Sequence, residues 1–129
     1  MDSGDDGAGV VDLLALARND GLPSPRWTLQ SDDLNANLLV FAKGNGVGEH
    51  INAEVDVLVV GIEGEGEVVI DGAARVLRAR QAILIPKGAR RSLTGTSDRF
   101  AYLTCHRRRS PLVPRVRRSG TDATYGQVV

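Results

Sequence analysis

From Trp27 onward the chain is cut into short β-branched runs separated by glycine, aspartate and proline, and this punctuation limits the folds open to it more than any other feature. The runs are 27–30, 37–42, 53–60, 67–70, 75–77, 82–85, 90–94 and 100–104. Each has strand length, and none is followed by a helical pattern long enough to cross over a parallel sheet. Closely and nearly evenly spaced strands of this kind belong to sandwiches and barrels. Asp71-Gly72, between Val68-Val69-Ile70 and the next run, predicts a tight hairpin. With 129 residues there is room for one domain and one core.

Upstream of the strands, Val10, Val11, Leu13, Leu14, Leu16 and Ala17 are spaced as in a helix. Asp12 and Arg18 stand at the ends that the helix dipole favours, and Pro23 and Pro25 stop the element. The expected organisation is a disordered stretch at 1–8, a short helix and linker at 9–26, the barrel at 27–109 and a basic, flexible tail at 110–129. Six of the 16 basic residues lie between positions 107 and 118. No aromatic residue is interleaved with them and the formal net charge is zero, which disfavours nucleic acid as a partner. Cys105 is the only cysteine, so neither a disulfide framework nor a multi-cysteine zinc site is available. No apolar run approaches the roughly 18 residues of a membrane span. The acidic, glycine-rich start has no basic signal-peptide region, so the expectation is a cytoplasmic protein with no membrane partner.

Two half-motifs carry chemistry. The first contains Gly44, His50, Asn52, Asp56 and Gly64; the second contains Arg80, Pro86, Gly88 and Arg91. Together they resemble the cupin superfamily across roughly residues 37–106. In the first cupin motif a glycine precedes a His-x-His pair, a glutamate and a second glycine. Gly44 and His50 fall in register, and Asn52 takes the place of the second histidine. In the second motif, Pro86 and Gly88 match, Arg80 replaces the leading glycine and Arg91 replaces the final histidine. The resemblance implies an all-β fold, a double-stranded β-helix or jelly-roll barrel with a short N-terminal helix in front. It also implies a homodimer.

The acid position has two alignments. Asp56 meets the shorter family spacing but lies one residue too far from Gly64, an excess that a bulge at Gly61 can absorb. Val57 has the correct spacing to Gly64 and would leave no acid in the site. On a regular strand His50, Asn52, Glu54 and Asp56 share one face, which favours Asp56. Cupins that hold a divalent metal usually present three imidazoles and a carboxylate. An amide oxygen at Asn52 is a weak ligand, and the guanidinium of Arg91 has no lone pair to give.

The expected site is therefore a metal-free pocket with no cofactor. In it His50, Asn52, Asp56, Arg91 and His106 bind a small polar or anionic metabolite. His106 belongs to the site only if Tyr102, Thr104 and His106 face inward on a strand that continues past Thr104. His50 and Asp56 are the catalytic candidates of an alternative reading, a cupin isomerase, epimerase or dioxygenase-like enzyme. That reading uses acid–base chemistry or a divalent metal near His50. A further alternative is a structural or regulatory dimer. Asp56 and Arg91 could also form a buried ion pair, and Asn52 could serve only as a turn residue. Glu63, Glu65 and Glu67 are expected as exposed turn charges.

Overall fold

A computed structural model describes residues 9–108. The expectations for 1–8 and for the tail from 110 fall outside them. Among the described residues one α-helix, α1 (Leu13–Ala17), precedes nine strands. These are β1 (Trp27–Gln30), β2 (Leu34–Ala42), β3 (Gly46–Ile51), β4 (Val57–Glu63), β5 (Glu65–Ile70), β6 (Ala73–Arg78), β7 (Ala82–Ile85), β8 (Arg90–Gly95) and β9 (Arg99–Arg107). They form two antiparallel sheets, in the order β1-β2-β9-β4-β7 and β3-β8-β5-β6.

The inner faces follow from two-residue alternation. On β9, Phe100, Tyr102, Thr104 and His106 are buried. On β8, Arg91 and Leu93 are buried. Leu39, Val57, Val59, Val68, Leu77, Ile85, Leu93, Phe100 and Tyr102 meet between the sheets as one core. Tyr102 packs against Phe100 with ring centroids 5.0 Å apart and against Phe41 at 6.1 Å. A Cβ on Gly66 would come within 2.2 Å of the Phe100 ring, so this strand position has to be glycine for the ring to lie flat on it.

Residues of the opposite parity on the five-stranded sheet face outward, where α1 covers part of them. Ala17, Leu38 and Ala101 form a second buried cluster, with Leu13, Leu16, Trp27, Val40, Ile62 and Leu103 around it. The helix is short. Asp12 caps its start, its carboxylate accepting the Ala15 N–H at 3.0 Å. At its other end Arg26 donates to the carbonyls of Ala17 and Asn19 at 2.9 and 2.7 Å, and Arg99 donates to Ala17 at 2.9 Å. Those two guanidiniums do the work of a C-cap, and they anchor the helix to the barrel.

The Asp71-Gly72 hairpin forms as the sequence predicts, with φ of 50° and 85° joining β5 to β6. A register shift falls between Gly61 and Glu63 where β4 pairs with β9. Glu63 corrects the sequence reading: it is a half-buried strand residue, bonded to Arg18 at 2.7 Å and within 3.7 Å of Arg99. The larger correction is β3. The glycine-rich stretch before His50 is a strand, and the run expected to begin at residue 53 begins at Val57. Among the described residues, no helix is long and apolar enough to cross a membrane.

Candidate functional site

Two crossovers between the sheets lie at the same end of the barrel. One runs from Ile51 to Val57, the other from Ile85 to Arg90. They are bonded together: Gly88 donates its N–H to the Asn52 carbonyl at 2.7 Å, and Lys87 donates its N–H to the Asp56 carboxylate at 2.8 Å. Below them His50 and Arg91 are direct cross-strand partners on β3 and β8, so their side chains leave the sheet on the same face. On the opposing sheet β9 runs on to Arg107, which carries His106 to this end. The condition set for His106 is met: the face it shares with Tyr102 and Thr104 is inward, and it is 4% exposed.

Arg91 is fully buried. Its Nε donates to the Ala89 carbonyl and its Nη2 to the Pro86 carbonyl, both at 2.9 Å. The guanidinium thus clamps the second crossover from inside. Burial pulls its pKa below the ordinary arginine value, and the charge of Asp71 partly opposes that pull. An arginine stays protonated under such a shift, so the inner wall carries a fixed positive charge.

Asn52 ends β3 as a turn residue. Its Oδ1 accepts the N–H groups of Glu54 and Val55, at 3.0 and 3.3 Å, which turns the chain out of one sheet and toward the other. Because the strand stops there, the alternation that was to place Asp56 beside His50 does not hold. Asp56 is exposed in the crossover and bonded to Lys87. Neither a His50–Asp56 acid–base pair nor a buried Asp56–Arg91 ion pair forms. The inward position belongs to Val57, which is fully buried opposite Ile85. The second alignment of the motif describes the barrel wall, and it leaves that position without an acid.

The donor set does not suit the family's metal. His50 and His106 are the only imidazoles in the chain, and an amide, a guanidinium and a valine occupy the remaining motif positions. Among the described residues no group of three or more His, Cys, Asp or Glu side chains is placed to hold an ion.

What this half of the barrel does present is unsatisfied polarity. At this end of the barrel six buried atoms have no hydrogen-bond partner among the described residues: Asn35 Oδ1, Asn37 Nδ2, His50 Nε2, Asn52 Nδ2, Thr104 Oγ1 and His106 Nε2. Asn37 pairs with Thr104 across β2 and β9, and Asn35 with His106, so these four form two adjacent rungs of one inner face. Sequence reasoning missed Asn35, Asn37 and Thr104 as site residues. The signal was available in Leu34-Asn35-Ala36-Asn37-Leu38, where amides alternate with apolar residues along a strand that starts three residues earlier than expected.

The architecture has solved counterparts. The chain is similar to KdgF from a Halomonas species, with 20% identity and a TM-score of 0.60 over 64% of this chain and 76% of that one. A cupin protein from Bacteroides fragilis matches with 20% identity and a TM-score of 0.55, over 65% and 73% of the two chains. A cupin superfamily protein from Desulfitobacterium hafniense matches with 26% identity and a TM-score of 0.54, over 60% and 69%. This is a cupin fold. No protein-family model matches this sequence, and no curated protein does. The resemblance read from the two half-motifs therefore holds at the level of the cupin barrel. The inner wall here, with Arg91 and Val57, departs from the ligand set of metal-binding cupins.

Proposed function

We propose that this cupin is a binding module for a small polar metabolite, held inside the barrel without a divalent metal. The observation that carries the reading is the cluster of six buried, unpartnered polar atoms on the inner faces at one end. A buried polar group without a partner costs about 1–3 kcal/mol, so a protein retains several together only where something else satisfies them. A small molecule with several polar groups does so at once. The fixed charge of Arg91 works against a dication in the same space, since repulsion inside a barrel is poorly screened.

A metabolite thermal-shift screen tests this. The expected result is a ligand that raises the melting temperature of the unmodified protein and has little effect on His50→Ala or His106→Ala. Elemental analysis of the purified protein gives the complementary test. A stoichiometric transition metal, with a melting temperature that falls on chelation, would overturn the metal-free reading.

A further inference from the structure

We propose that the metabolite is a neutral, hydroxylated compound of the sugar or polyol class, which donates its O–H groups to the Nε2 atoms of His50 and His106. The proposal rests on the pocket reading above and narrows it from polar molecules in general to one class.

The argument starts from the outer nitrogens of the two rings. His50 Nδ1 lies 2.8 Å from the Gly48 carbonyl oxygen, and His106 Nδ1 lies 2.8 Å from the Arg107 carbonyl oxygen. A carbonyl only accepts, so in both rings Nδ1 carries the proton and donates it. In a neutral imidazole with its proton on Nδ1, Nε2 holds a lone pair and accepts. Both Nε2 atoms are buried, and neither has a partner among the described residues. When neutral, the two rings therefore offer two oriented acceptors in want of donors. A carboxylate or phosphate would set its own lone pairs against them, whereas a hydroxyl satisfies them.

The asparagines are fixed in the same manner. Asn37 Oδ1 accepts from the Thr28 hydroxyl at 2.9 Å, and Asn52 Oδ1 accepts from Glu54 and Val55 N–H. Each amide is thereby oriented with its Nδ2 left to donate. Acceptors at the imidazoles and donors at the amides make a mixed array. A hydroxyl both donates and accepts, so a molecule carrying several of them complements such an array, and a simple anion does not. Arg91 turns an Nε–H and an Nη2–H to the Ala89 and Pro86 carbonyls, so those two donors are not offered to the array, and the anion probes below test what its charge contributes.

With only two histidines in the chain, long-range proton–nitrogen correlation spectra of the labelled protein report each ring separately. The measurement is made at mildly alkaline pH, where histidine is ordinarily neutral. Both rings are expected as the Nδ1–H form. Glucose, mannitol and inositol serve as neutral probes, succinate and sulfate as hydroxyl-free anions. At least one neutral probe is expected to shift the two Nε2 resonances, and His50→Phe or His106→Phe to weaken its binding about tenfold. An Nε2–H tautomer in either ring overturns the proposal. So does an anion that moves the Nε2 signals when no neutral probe does, although the pocket reading would then survive. If no probe moves either ring, the proposal and the pocket reading fall together.

Discussion

At the residue scale, two arginines stand where the family motif has other residues, and they have opposite consequences. Arg91 has become part of the framework: its guanidinium supplies donors to two carbonyls of a crossover. Hydrogen bonds from a charged donor are worth about 1.5–3 kcal/mol each, and a carbonyl left unpaired adds its own cost. Arg91→Leu is expected to lower the unfolding free energy by about 2–4 kcal/mol in urea titration. A loss under about 1 kcal/mol would show that the clamp contributes little. Arg80, in contrast, holds φ at 71°, a left-handed conformation that suits glycine. Arg80→Gly is expected to stabilise the protein by about 1 kcal/mol in the same measurement. The resemblance places a glycine there, but the left-handed backbone that makes arginine strained is seen only in the structure. The place of Asp56 was not legible in the sequence either. It hinged on whether Asn52 continues a strand or ends one, and both are local options for asparagine that spacing alone does not separate.

At the scale of elements, most strands were readable from alternation and punctuation, and β3 was not. Gly44-Asn45-Gly46-Val47-Gly48 has the composition of a loop, and strand propensity there is low. Pairing with β8 makes it a strand: Val47 lies opposite Leu93 and His50 opposite Arg91, with a register shift between the two pairs. Tertiary contact overrode local preference, and the error displaced the site by one element. The helix illustrates a different limit. Its apolar spacing begins at Val10, yet regular structure begins only after the Asp12 cap. Its far end depends on Arg26 and Arg99, with Asp20 between them: Asp20 accepts from Arg99 at 3.0 Å and lies 3.5 Å from Arg26.

These partners hold the Asp20 carboxyl below the ordinary aspartate value, chiefly through the Arg99 hydrogen bond and charge. A depressed native pKa contributes stability that is complete above the unfolded value of 3.8 and fades as pH falls through the native one. The melting temperature of Asp20→Asn is therefore expected to lie slightly below that of the unmodified protein at neutral pH. The two are expected to converge in strong acid, and also in high salt because the pair is exposed. A difference that persists in strong acid would mean that the side chain acts through its shape and not its charge.

For the molecule as a whole, the two sheets are joined by a core in which aromatic rings meet glycine. Phe100 lies against Gly66, and the ring of Tyr102 continues the stack. Gly66→Ala forces either the ring or β5 to move, and overpacking of a filled core costs about 1–3 kcal/mol. The expected outcome is a loss of that size in global unfolding, with both sheets melting together in hydrogen exchange. Protection lost only in β5 and β6 would instead show that the four-stranded sheet opens by itself. The barrel as a class was within reach of the sequence because its strands and half-motifs are regular. The polarity of its interior was not, because it depends on which parity of β2 and β9 faces inward, and β9 had to be followed past Thr104 to bring in His106.

The clamp on the second crossover has a consequence for anyone wishing to convert this scaffold into a metalloprotein. Exchanging Arg91 for histidine would supply an imidazole but withdraw the hands that hold the Pro86–Ala89 turn. Val57 would still offer hydrocarbon where a carboxylate is needed. A designer would have to rebuild the rim of the barrel together with its coordination sphere, and would find the two inseparable.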